Sequence, residues 1–178
     1  TTTCESEEVF ATVDFVYPAN SFTTVVTDAF TDNATITVTV PDGTGTLLYQ
    51  LDQGSLQTSN VFEGVSAGPH TITVVDSEGC TYLVQDVLVI DYPKYFTPNG
   101  DGYNDTWNIV GLQDQENAVV FIYDRYGKLI RSIRPADPTG WDGTYNGKQL
   151  PSTDYWFTVD YLENGASKQF KAHFSLKR

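Results

Sequence analysis

The stretch Tyr92-Pro93-Lys94-Tyr95-Phe96-Thr97-Pro98-Asn99-Gly100-Asp101-Gly102-Tyr103-Asn104-Asp105-Thr106-Trp107 divides the sequence into two dissimilar parts. Pro93 and Pro98 each remove a backbone donor and fix φ, so neither a helix nor a central strand passes through it. Asn99-Gly100-Asp101-Gly102 supplies two glycines for positive φ and two side chains that bond their own backbone, which predicts a tight, oxygen-rich loop. Laid over a calcium loop, Asn99, Asp101, the Tyr103 carbonyl and Asp105 fall at the third, fifth, seventh and ninth ligand positions, with Gly102 where a sharp turn is needed. Thr97 and Asn108 stand at the first and twelfth, where an EF-hand has an acid and a bidentate Glu. Two readings stay open: a hard cation, with calcium as the cofactor, or a turn closed by Asx hydrogen bonds.

Charge changes across this stretch. Residues 1–90 hold 12 Asp or Glu and no Lys or Arg, a formal charge of −12; residues 91–178 hold 11 acids and all 10 bases, a charge of −1, and the two sum to −13. A chain of that sign without a basic stripe is repelled by phosphate backbones and anionic lipid, which argues against nucleic-acid or membrane-surface partners. No apolar run approaches the roughly 20 residues of a membrane helix. The start at Thr1 and the lack of Met read as the processed or excised end of something longer, with any export leader out of view.

Both parts read as strands. Val9 to Tyr17 and Ala34 to Val40 alternate apolar and polar positions, the period of a half-buried sheet. Pro41-Asp42-Gly43-Thr44-Gly45, Asp52-Gln53-Gly54, Ala67-Gly68-Pro69 and Asp76-Ser77-Glu78-Gly79 are turns, and between them Leu47 to Leu51, Val61-Phe62, His70 to Val75 and Tyr82 to Ile90 are strands. Beyond the boundary, Val119 to Tyr123, Lys128 to Ile133, Tyr155 to Leu162 and Lys168 to Leu176 have strand length and composition. Arg125 to Lys128 and Glu163 to Ala166 are hairpin turns, and Asn146-Gly147 is the strongest two-residue hairpin signal. The fold class is therefore all-β: two tandem immunoglobulin-like antiparallel β-sandwich domains, residues 1–90 and 91–178.

Three blocks of the second part carry a resemblance. Tyr95-Phe96-Thr97-Pro98-Asn99-Gly100-Asp101-Gly102-Tyr103-Asn104-Asp105, then Ile122-Tyr123-Asp124-Arg125-Tyr126-Gly127-Lys128, then Trp141-Asp142-Gly143-Thr144-Tyr145-Asn146-Gly147-Lys148, resemble the gliding-motility-associated C-terminal domain over residues 91–178. That family is the type B cargo signal of the bacterial type IX secretion system. The resemblance implies export and surface display, not catalysis. It also implies partners in the type IX outer-membrane machinery: a PorV-like shuttle, an SprA-like translocon and a PorP/SprF-like protein, with no direct membrane insertion. In the first part, Leu48-Tyr49-Gln50-Leu51-Asp52-Gln53-Gly54, Ser59 to Val65 and Thr73 to Cys80 are similar to the repeat of SprB-like gliding adhesins over residues 46–81. That likeness implies an adhesin repeat-type domain, the last of a cell-surface array, although these 178 residues contain no second copy.

Cys4 and Cys80 lie near opposite ends of the first part. Bridged, they close a long loop, a gain of about 4 kcal/mol in the chain-entropy account, and suit an oxidising compartment; two separate thiols are the other reading. Catalytic groups are scarce. His70 and His173 sit in different parts without a metal-spaced or triad-spaced companion, and no carboxylate pair has an apolar setting that would split two pKa values. The expectation is that the chain is not an enzyme. Trp107, Trp141 and Trp156 all fall in the second part and could stack on sugars, as an extracellular carbohydrate-binding module does, or fill a core; a passive stalk is a further reading. Recognition is expected at the chain's end, where Phe170, His173, Phe174, Leu176, Lys177 and Arg178 present a terminal strand edge and two cations to a protein partner.

Overall fold

In the first half, β-branched residues alternating with threonine set one face of each strand inward, and two small sheets close on each other. The computed structural model describes residues 15–163 and 165–178. One sheet has the order β1-β2-β4 (Thr23–Val26, Ile36–Thr39, Val61–Phe62) and the other β3-β5-β6 (Leu47–Leu51, Gly68–Asp76, Tyr82–Val89), all antiparallel. Ile36 and Val38 from one sheet and Ile72 and Val74 from the other are fully buried, while Thr39 on β2 faces out. With Phe22, Tyr49 and Phe62 they form the mainly aliphatic core of a β-sandwich.

The second half is a five-stranded sheet of order β7-β13-β12-β8-β9, from Tyr95–Phe96, Ala166–Leu176, Thr153–Glu163, Val119–Tyr123 and Leu129–Ile133. β12 and β13 pair over their whole length, from Thr153 opposite Leu176 to Glu163 opposite Ala166. Tyr155, Phe157, Val159 and Tyr161 alternate inward along β12. What covers that face is only partly strand: the hairpin β10–β11 (Thr144–Tyr145, Lys148–Gln149) and segments joined by single bridges, Asp91 with Val110 and Trp107 with Trp141. Asn146 and Gly147 close the hairpin with φ of 50° and 74°, the left-handed pair that its Asn-Gly sequence predicts.

Trp107 and Trp141 lock this covering layer. Each donates its backbone N–H to the other's carbonyl, at 2.9 and 2.8 Å, and each indole N–H reaches a carbonyl, Pro93 for Trp107 and Thr144 for Trp141. Trp107 stacks on Phe174 of β13 at 3.8 Å between centroids. Gly143 turns the chain at φ 75° so close to β13 that an added Cβ would lie 2.6 Å from Leu176. Aromatic rings thus make up half of the second core, against three residues in the first, where aliphatics dominate.

Strands appear where the sequence predicts them, with three differences. The strand expected over Val9 to Tyr17 is absent over Phe15–Tyr17, where Phe15 and Tyr17 are largely exposed; residues 9–14 lie outside the described residues. β1 is an edge strand whose residues run Thr-Thr-Val-Val, so it shows no alternation to read. β7, between the two prolines, runs parallel to the end of β13 as an edge strand, the one place in a sheet where prolines are tolerated at its flanks.

The boundary at residue 90 is crossed by side chains from both halves, Phe30 from the first and Glu163 and Lys94 from the second. Phe30, held at φ 64° with its N–H on the Ile90 carbonyl, leaves the first half and stacks on Phe170 at 4.2 Å, edge-on to Tyr161 at 5.2 Å. Beside it the Ala29 N–H donates to Glu163 at 2.7 Å, and Lys94 reaches Asp32 and Asp91 at 3.3 and 3.2 Å. The core expected to belong to residues 91–178 is completed from outside that range.

Candidate functional site

The loop from Thr97 to Asp105 is knitted by its own amides. Asp105 Oδ1 accepts from the Asn99 and Gly100 N–H groups at 3.0 and 2.6 Å, and Oδ2 accepts from Gly102 at 2.7 Å. Asp101 Oδ1 accepts from Tyr103 N–H, its Oδ2 from the Asn99 amide, and Asn99 Oδ1 accepts from Asp101 N–H. These amides, Gly100 and Gly102 foremost, hold the Asp105 carboxyl below its ordinary range. The four expected calcium ligands are therefore brought together, but the carboxylate oxygens of Asp101 and Asp105 are already used by N–H donors. Among the described residues no group of three or more acids, His or Cys has metal-holding geometry. As arranged, the donor set closes an Asx turn, and no step is assigned to calcium.

The end of the chain is not a free edge. Leu176 and Phe174 are buried, at 1% and 0% exposure, and Phe170 is half-buried under Phe30. Inward alternation along β13 places these three residues in the core, which corrects their expected role as contact residues. β7 seals the strand's end: Ser175 N–H donates to the Lys94 carbonyl and Lys177 N–H to that of Phe96. Lys177 sits over the Tyr95 ring at 4.3 Å. Arg178 donates to the Leu150 and Gly143 carbonyls, tying the hairpin layer to the last strand. Both expected docking cations are exposed, Arg178 tied to the hairpin layer and Lys177 resting on an exposed ring, and His173 is exposed with them.

His173 belongs instead to the outer face of the five-stranded sheet, which no layer among the described residues covers. Register places it beside Trp156, with ring centroids 6.2 Å apart, and puts Tyr123 on the far side of Trp156. Trp156 is 43% exposed, whereas Trp107 and Trp141 are core residues, so a sugar-stacking set of all three tryptophans does not exist. In the first half, His70 is fixed between Asp52 and Ser66: Nδ1 lies 2.8 Å from the Asp52 carboxylate and Nε2 2.9 Å from the Ser66 carbonyl. Hydrogen bonds from His70 and then from the Thr71 amide hold Asp52 below its ordinary range. Both ring nitrogens face oxygens that brace the turns around β5. Cys80 is exposed in the turn after β5, and its expected bridge to Cys4 lies outside the described residues.

Residues 90–176 match the family described as the CHU_C Type IX secretion signal domain. The second half of the chain belongs to that family. No curated protein matches the chain. Among solved structures, a biofilm-associated protein, its BSP domain, aligns over 86% of this chain and 29% of its own at 12% identity and a TM-score of 0.27.

A secretion signal domain engages type IX machinery and directs export of the chain that carries it. In this one the three sequence blocks have separate structural tasks. The first forms the Asx loop and β7, the third carries Trp141 and the tight turn at Gly143, and the second forms the β8–β9 turn, where Asp124 Oδ1 accepts from the Tyr126 and Lys128 N–H groups at 2.9 Å each. Sequence reasoning missed the open face because outward residues such as Trp156 and Tyr123 sit in strands of even aromatic content. The cue was the strict alternation of β12, which sets Trp156 opposite to Tyr155 and Phe157.

Proposed function

We propose that the second half acts as a folded export address and that the first half is an adhesin-like spacer which the address carries to the cell surface. Recognition is of a folded surface, without catalysis. The observation that carries this reading is the match of residues 90–176 to the secretion signal family. It is supported by a core of its own chemistry around Trp107, Trp141 and Phe174 that holds one sheet face open to solvent. The non-catalytic reading is supported by the commitment of both His70 nitrogens to turn oxygens. In this account the parent is a surface gliding adhesin of the SprB kind, and the readers are a PorV-like shuttle, an SprA-like translocon and a PorP/SprF-like protein.

The test uses the whole chain, because Phe30 completes the second core. Residues 1–178 are fused behind a fluorescent reporter bearing a Sec leader and produced in a bacterium with a working type IX system. Reporter at the cell surface is the expected result, and retention in the periplasm contradicts the reading.

A further inference from the structure

The end of the sheet where β8 turns into β9 holds a cleft of 480 Å³ between that turn, the β10–β11 hairpin and the start of β12. Its mouth carries two cations. Arg125 donates to the Thr153 hydroxyl at 2.8 Å, and Lys128 lies 4.7 Å from the centre of the Tyr145 ring. Among the described residues neither has a carboxylate within 4.0 Å, as holds for every Lys and Arg but Lys94 and Lys168; what sets this pair apart is that both line one cleft with apolar residues. The one acid in the lining, Asp124, has Oδ1 committed to the amides of its own turn. Ile130 and Leu150, with exposed Pro151 at the edge, give an apolar wall, and Tyr126 is 86% exposed. Arg178 fixes the Leu150 side of that wall from behind, so the cleft does not depend on a mobile terminus for its shape.

In a chain of net charge −13, two cations without acidic partners above an apolar wall define what fits: an extended segment carrying carboxylates alternating with apolar side chains. The open sheet face offers no such instruction, since Lys171 stands there among Asp154 and Asp160 and nothing selects what covers it. We propose that this cleft receives an acidic, apolar segment of the protein that reads the secretion signal, its carboxylates pairing with Arg125 and Lys128. The proposal rests on the export reading given above.

Two variants of the full-chain fusion test it, Arg125→Glu with Lys128→Glu, and the charge-keeping Arg125→Lys with Lys128→Arg. The reversed pair is expected to lower surface reporter about tenfold, the loss that goes with weakening a central binding contact, while the charge-keeping pair exports normally. Equal export of the reversed pair and the unmodified chain overturns the cleft and leaves the export reading intact; retention of the unmodified chain overturns both. Should the reversed pair melt early, a photo-crosslinking benzoylphenylalanine at Tyr126, compared with one at Trp156, decides instead. A type IX component captured from Tyr126, and lost in 0.5 M salt on the order expected for screened charges, supports the cleft. Capture from Trp156 alone overturns it, as does binding to a polysaccharide gel that depends on Trp156.

Discussion

The two halves solve the same problem, closing a small β-core, with different materials. The first packs Ile36, Val38, Ile72 and Val74 between two three-stranded sheets and carries a charge of −12 without a single Lys or Arg. The second stacks Trp107 on Phe174, spans a near-neutral sequence and leaves most of one layer as bridged loops. Branched aliphatics define a sheet surface but little else, which suits a spacer. Large rings with polar edges can pin irregular segments by hydrogen bonds at fixed positions, and so build the clefts and faces that recognition requires. Phe30 is where the contrast gives way, because the first half lends the second a ring of the kind it uses.

The contrast can be broken most forcefully at Trp107. Replacing it by Ala removes a fully buried ring and its indole hydrogen bond to the Pro93 carbonyl, and is expected to cost about 4 kcal/mol, unfolding the second half first. Hydrogen exchange should show amides of β12 and β13 losing protection while those of β5 keep theirs; equal loss in both halves would mean a single cooperative unit. Phe30→Ala sharpens the same point at a smaller cost, about 3 kcal/mol. Although the residue lies in the first half, protection should fall chiefly around Phe170 and Tyr161. A fall confined to β1 and β2 would show that the contact carries little energy.

Acid acts on the Asx loop more gently. Asp105 has a folded pKa below its ordinary value of 3.8, so its contribution is fully present above that value and is lost as pH falls through the folded pKa. Fluorescence of Tyr103 and Trp107 should therefore hold steady from pH 7 to about 5 and change only below about 4. Asp105→Asn should abolish most of that acid step. The smallest effect is expected from calcium: with the Asp101 and Asp105 oxygens occupied by amides, chelator followed by calcium should leave the melting temperature unchanged within about 1 °C. A rise of several degrees would mean that the loop rearranges around the ion.

Much of this was legible beforehand because alternation is a local signal. β3 runs over the predicted residues, Leu47 to Leu51, as does β8, Val119 to Tyr123, and the turn at Asn146-Gly147 has the left-handed geometry its residues demand. The secretion signal was legible through its three blocks. What escaped was set by distant partners. Nothing near Phe30 in sequence points to Phe170, 140 positions away, and nothing in the last strand announces that the two prolines flank a segment sealing its end. The terminal residues were therefore read as a handle when Phe174 and Leu176 are core and Arg178 is a tie. Cations at a chain's end look free in sequence, and only the folded hairpin shows the carbonyls that Arg178 binds.

The central claim is that export reads the second half as a folded surface. Surface fluorescence of the full-chain fusion, compared with the same fusion carrying Trp107→Ala, tests it most directly. The account expects the unmodified chain at the cell surface and the variant, its second half unfolded but its sequence otherwise whole, held in the periplasm. Equal display of both would contradict it and assign the signal to a linear segment.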